Sequence, residues 1–234
     1  MKPIFLIILF ILLVICPASG EDYLKTAQQY EKDNNYEKAI EFYIKAISQD
    51  TGNYRLYNHV ALLFENQGNF ESAKDYFVRS IIVNNEYRDG YFNLGSWYFN
   101  QAKFVQAMVN FKRAYSFASD DVDIHIALIN CFLKLGRYSE ASEYVAKALD
   151  QFPDRFEVLN LAGMIALFQN DYKKAEDYFQ KAINLKKDDK LINNLGVTLY
   201  LQGKRDEARK LFDQIKKYDK IQENLKLMRG GKAK

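Results

Sequence analysis

The chain has 234 residues, with 33 Lys and Arg against 30 Asp and Glu, two histidines and two cysteines. So even a charge balance leaves no electrostatic footprint for nucleic acid. Two histidines with no cysteine or paired carboxylate placed to join them argue against a histidine metal site or a catalytic triad.

The first twenty residues differ in kind from the rest. Lys2 supplies a positive start, Ile4 to Ile15 is unbroken and apolar, and Pro17-Ala18-Ser19-Gly20 closes the segment with small residues. This is the layout of a secretory signal peptide over residues 1–20, and the small-x-small pattern of Ala18 and Gly20 predicts cleavage after Gly20. The apolar run falls short of the roughly 20 residues a spanning helix needs. Two other readings stay open. One is an uncleaved signal anchor; the other is lipidation of Cys16, although Leu13, Val14 and Ile15 are bulkier than the residues a lipoprotein signal carries there. All three readings place the chain outside the cytoplasm, periplasmic or secreted, and the last two add membrane association through the N-terminus. After cleavage Cys131 is the one cysteine left, so neither an intramolecular disulfide nor a thiolate metal site can form.

Beyond residue 20 the sequence repeats. Alanines recur at Ala39, Ala73, Ala107, Ala141, Ala175 and Ala208, at spacings of 34, 34, 34, 34 and 33 residues. Three places before five of them stands an aromatic residue (Tyr36, Phe70, Phe104, Tyr138, Tyr172), with Arg205 the exception. Four places after come Tyr43, Phe77, Phe111, Val145, Phe179 and Phe212, and seven places after a second small residue recurs from Ala46 to Ala182, lapsing at Ile215. Spacings of three, four and seven describe one face of an α-helix. An upstream stripe runs through Tyr23, Thr26 and Tyr30 and their counterparts, for example Tyr91, Leu94 and Tyr98. Each repeat is therefore two amphipathic helices. The turn between them carries Asn34-Asn35, Gly68-Asn69, Gly136-Arg137, Asn170-Asp171 and Gly203-Lys204, residues that tolerate left-handed backbone or cap the next helix, whereas Ala102-Lys103 is a weak turn.

These residues resemble the tetratricopeptide repeat, whose W-x2-L-G-x2-Y, Ala, Phe, Ala and Pro positions are matched at nearly every packing place. The resemblance covers units 21–53, 54–87, 88–121, 122–155, 156–188 and 189–222. It implies an all-α fold, a right-handed superhelical solenoid of six helix-turn-helix units stacked into a continuous core. Ile221, Leu225 and Met228 continue an apolar stripe that predicts a C-terminal capping helix, its end and a disordered basic tail occupying residues 223–234. Small residues at Ala27, Ala61, Gly95, Gly163 and Gly196 suit the crossing of the two helices; Ile129 breaks that pattern and predicts adjusted packing in unit four. The family's terminal proline survives only as Pro153, and His125 stands where the family has a large apolar residue, which predicts a packed side chain.

The resemblance further implies a concave groove lined by the first helix of each unit, at its second, fifth, sixth, ninth, twelfth and thirteenth positions. Units one and two supply mostly polar residues there, including Gln28, Glu31, Arg55 and His59. Unit three brings Phe92, Asn93 and Phe99; unit four brings Ile126, Asn130 and Leu133. Unit five brings Asn160, Leu161, Met164, Leu167 and Phe168, and unit six Asn193, Val197 and Tyr200. Asparagine can bond both donor and acceptor of a peptide backbone, and the apolar and thioether side chains between can take the side chains of an extended strand or a helix face. Units three to six are thus the expected protein- or peptide-binding surface. The carboxylate clamp of chaperone-binding relatives is not expected: a frame begun in unit one, for example, puts Leu24, Gln28, His59, Asp89 and Asn93 in its five places.

No Gly-rich phosphate loop or G-x-S-x-G elbow occurs in the sequence, and the acid pairs Asp120-Asp121 and Asp188-Asp189 fall at unit junctions. A non-enzymatic chain with no cofactor and no small-molecule substrate is expected. In length, export signal and repeat number it resembles the pilotin and outer-membrane assembly factors of this superfamily. The expected function is an exported scaffold or adaptor that supports assembly of an envelope or secreted complex; a holdase-like chaperone for exported unfolded proteins is the alternative.

Overall fold

The computed structural model describes residues 19–215. The signal segment with Cys16, the stripe of Ile221, Leu225 and Met228, and the basic tail lie outside the described residues. Twelve α-helices follow one another: α1 (Gly20–Lys32), α2 (Tyr36–Gln49), α3 (Tyr54–Asn66), α4 (Phe70–Val83), α5 (Arg88–Asn100) and α6 (Phe104–Tyr115), then α7 (Val122–Lys134), α8 (Tyr138–Gln151), α9 (Phe156–Phe168), α10 (Tyr172–Leu185), α11 (Asp189–Leu201) and α12 (Arg205–Gln214). They pair in order as six helical hairpins of the expected all-α kind. The chain divides into two compact units, one ending at Asn85 and the other beginning at Glu86.

The turns explain why the helices begin where they do. Each hairpin turn holds one residue in the left-handed region: Asn34, Gly68, Ala102, Gly136, Asn170 and Gly203. The residue after it caps the second helix when its chemistry allows. Asn35, Asn69 and Asp171 accept a backbone N–H from the first turn, satisfying one of the donors a helix start leaves open. Lys103, Arg137 and Lys204 make no such bond. Helix α1 opens on a reciprocal capping box between Ser19 and Asp22, so cleavage after Gly20 would remove the cap itself.

In the first unit α1 packs on α2, α3 on α4, and α2 on α3. The buried side chains between them include Ala27, Ala39, Tyr43 and Val60. In the second unit the first helices α5, α7, α9 and α11 are successive neighbours, and each second helix also meets the first helix of the next hairpin. Phe132, Phe179 and Phe212 are fully buried there, each contributing roughly 1.5–3 kcal/mol by leaving water.

The hairpins close by matching sizes at the crossing. A Cβ placed on Gly95, Gly163 or Gly196 would lie 2.7, 2.6 and 2.6 Å from the rings of Phe111, Phe179 and Phe212. Unit four solves the same crossing the other way round. Ile129 takes the small place on α7 and is fully buried, and the facing place on α8 shrinks from Phe to Val145 in the same core. The packing adjustment expected there is thus an exchange of volume between the two helices.

Candidate binding surface

The floor of the candidate surface is built first by the Gly95–Phe111 crossing. Without a side chain at Gly95, the Phe111 ring rises against α5 and meets Phe92 at a centroid distance of 5.5 Å. Around this floor opens a cleft of about 310 Å³ between α5 and α7, lined by Phe92, Ser96, Phe99, Asn100, Asp123, Ile126 and Asn130 among others. It brings together four of the residues expected at the contact surface: Phe92, Phe99, Ile126 and Asn130. Its base is aromatic and its rim carries amide, hydroxyl and carboxylate groups, the composition expected of a pocket that takes one apolar side chain and a stretch of backbone. Asn130 makes no side-chain hydrogen bond among the described residues, so its amide is available at the rim.

The other expected residues are distributed differently. Phe99 also meets Phe104 edge-on at 5.2 Å. Leu133 packs half-buried against the core of the second unit, as does Met164; Leu167, Val197 and Tyr200 do so against its C-terminal part. Phe168 keeps 51% of its surface exposed while stacking on Tyr138 at 4.6 Å. The asparagines are less open than their spacing suggests. Asn194 donates to Asn160 Oδ1 at 2.9 Å, and Asn160 Nδ2 points to Met164 Sδ at 3.8 Å. Asn93 and Asn193 have partners as well. Leu161 corrects the expectation outright: it is buried in the core, because the sixth position of α9 turns inward at the contact with its neighbours.

Sequence spacing missed a polar cluster in the first unit. Tyr43 Oη donates to Glu31 Oε2 at 2.6 Å, and His59 Nε2 lies 2.9 Å from the same oxygen. They line a cleft of about 390 Å³ with Leu24, Gln28, Asn53 and Arg55. Partial burial raises the Glu31 carboxyl, but the bonds from Tyr43 and His59 and the His59 charge outweigh it and hold Glu31 below its ordinary value. Burial, followed by the bond to Glu31, pushes the Tyr43 phenol up. The signal was present in the ladder: Tyr43 supplies a hydroxyl where the other units have Phe or Val.

The two residues with reactive side chains in the second unit are packing residues. His125 is fully buried, with Nε2 2.9 Å from the Ser119 carbonyl oxygen and its ring edge-on to Tyr115 and Phe152. Cys131 is buried, and burial pushes its thiol up to about 12. Among the described residues no three His, Cys, Asp or Glu side chains are grouped to share a metal, and no helix is long and apolar enough to cross a membrane.

Family models described as tetratricopeptide repeat match residues 23–53, 54–86, 98–165, 156–189 and 190–215. No curated protein matches the chain in sequence. Several solved structures share the fold. YrrB, described as a TPR protein with an unusual peptide-binding site, is 22% identical with a TM-score of 0.65, over 79% of this chain and 92% of its own. PilF of Pseudomonas aeruginosa is 16% identical with a TM-score of 0.70, over 85% and 90%. PilW, described as a widely conserved type IV pilus biogenesis factor, is 14% identical with a TM-score of 0.72, over 88% and 98%. At these identities the likeness establishes the fold.

Proposed function

Since the chain belongs to the tetratricopeptide repeat proteins, we propose that it is an exported scaffold that holds a segment of a partner protein against α5, α7, α9 and α11. The observation that carries this reading is the cleft between α5 and α7, where Phe92, Phe99 and Ile126 surround an aromatic floor beside the available amide of Asn130. An apolar side chain of the partner fills the cleft, and Asn130 bonds the backbone on either side of it. The solved structure of YrrB, described as having a peptide-binding site, and those of PilF and PilW, the latter described as a pilus biogenesis factor, support a binding role of this kind. The apolar segment Ile4 to Ile15 behind Lys2 supports a place outside the cytoplasm, in the periplasm or secreted, where the scaffold serves assembly of an envelope complex. Binding, rather than catalysis, is the proposed activity.

The test is a triple substitution of Phe99, Leu133 and Phe168 by Ser, with circular dichroism to check the helices. Loss of the partner in pull-down with the helical signal retained supports the reading; an intact pull-down overturns it. The half-exposed Phe168 and Leu201 favour a second reading, a holdase for exported unfolded chains. A scaffold cross-links to one or two partners in fixed ratio, whereas a holdase suppresses aggregation of unrelated proteins.

A further inference from the structure

The second helices place two residues on their outer side at fixed distance from the ladder alanine, two before it and two after. In the other hairpins at least one of these places is charged, and neither is apolar: Glu37 and Glu41 in the first, Lys173 and Asp177 in the fifth. Helix α6 alone among them carries valine at both, Val105 and Val109, and these are 55% and 57% exposed. One turn of helix separates them, so they form one apolar edge.

A second exception sits beside the first. Three places after the ladder alanine the other hairpins carry an aromatic residue or leucine, but α6 has Asn110. In the first hairpin Phe42 lies between Tyr23 and Tyr30, at 6.3 and 5.4 Å; in the second, Tyr76 lies between Tyr57 and Phe64, at 6.1 and 5.4 Å. In the third hairpin the flanking Tyr91 and Tyr98 remain, but the ring between them is gone. Asn110 does not replace it, because its amide folds back and donates to the Gln106 carbonyl of its own helix at 2.9 Å. Beside Asn110 lies an open cleft of about 470 Å³, lined by Tyr91, Val109, Asn110, Lys112, Arg113 and Ser116, with the Arg113 guanidinium 5.8 Å from the Tyr91 ring centroid.

The charged residues that line this cleft, Lys112 and Arg113, are both basic. Helix α6 contains no acid, its last turn carries Lys112 and Arg113, and Lys103 precedes it. Lys103 and Lys112 lie over the rings of Trp97 and Phe132, and among the described residues neither is in an ion pair. Cation–ring contacts leave the positive charge in place for an anionic partner. We infer that the outer side of α6 is a second docking surface, which takes an acidic segment of a partner protein through one aromatic side chain flanked by carboxylates. The ring enters the cleft beside Asn110, against Tyr91 and Val109, and the carboxylates meet Lys112 and Lys103.

The experiment measures fluorescence anisotropy of a labelled peptide, acetyl-Asp-Glu-Phe-Asp-Glu-amide, against the full chain and two variants, Val109→Glu and Asn110→Tyr. Both variants install residues that other hairpins of this chain carry at the same places, Glu143 and Tyr144, so the fold is expected to persist. The expected result is saturable, salt-sensitive binding that weakens at least tenfold in each variant, is lost when Lys replaces the peptide's acids, and survives Ile126→Ser in the α5–α7 cleft. Equal binding of the Lys peptide, no binding of the acidic peptide, or binding lost only with Ile126→Ser overturns the proposal. So does a Val109-dependent self-association in sedimentation, or a Val109-dependent preference for phosphatidylglycerol vesicles over the peptide. Because Ile126→Ser is a separate arm, failure of the α5–α7 cleft and failure of the α6 surface are read independently.

Discussion

Gly163 and Phe179 meet so closely that a Cβ on the glycine would stand 2.6 Å from the ring. The residue missing on α9 is therefore what lets the aromatic ring of α10 close the fifth hairpin. Gly163→Ala improves helix propensity by about 1 kcal/mol but overpacks the crossing at a cost of roughly 1–3 kcal/mol. A net loss of stability is expected. Adding Phe179→Val, the arrangement unit four already uses with Ile129 and Val145, is expected to make the double variant less destabilised than the two losses added together. Urea unfolding of the four proteins measures this coupling, and strict additivity would contradict it.

Ala102 sits at a φ of 55°, the turn position that Gly68, Gly136 and Gly203 occupy in other hairpins. An alanine there holds a left-handed backbone that its Cβ disfavours by roughly 1–2 kcal/mol. Ala102→Gly is expected to stabilise the second unit by about 1 kcal/mol after the greater freedom of glycine in the unfolded chain is subtracted. A thermal melt shows this as a higher Tm; a lower Tm would mean the alanine side chain has a packing role.

The acid limb of stability is expected to depend on Glu31. Its carboxyl titrates below its ordinary value of 4.5 in the folded chain. Its contribution is therefore present above that value and lost as pH falls through the folded one. The Tm gap between the wild type and Glu31→Gln should be full at pH 6 and narrow between pH 5 and 3. A gap that stays constant down to pH 3 would place the Tyr43–Glu31–His59 contacts outside the stability of the first unit.

Cys131 is fully buried and its thiol is pushed up to about 12. At pH 8 the native chain is expected to leave this thiol unmodified by iodoacetamide over hours, and to take up one equivalent there once unfolded in guanidinium. Rapid labelling of Cys131 in the native chain would show that α7 opens far more readily than its packing suggests.

The hairpins were legible because their determinants are local and periodic. Ala39 to Ala208 mark the register, and the pairs from Asn34-Asn35 to Gly203-Lys204 mark the turns, down to the residue with positive φ. The binding surface was legible only in part. Helix position predicts which residues lie on one side, but not which side chains bond each other, so Asn160 reads as an open amide although Asn194 donates to it. Leu161 reads as surface although it is core, because its depth depends on how neighbouring helices approach, which no spacing within one helix encodes. The Glu31–Tyr43–His59 cluster assembles three helices, with separations of 12 and 28 residues in sequence. Its one local clue is the hydroxyl of Tyr43.

The central claim is that a partner segment lies in the cleft between α5 and α7. Photo-cross-linking in native cells tests it most directly, with a benzoylphenylalanine placed at Ile126 and, as a control, at Glu143 on the exposed side of α8. The expected result is a cross-link from position 126 to one defined segment of one or two proteins, with an apolar residue at the cross-linked site, and none to that segment from position 143. Equal labelling from both positions, or no protein captured from position 126, would contradict it.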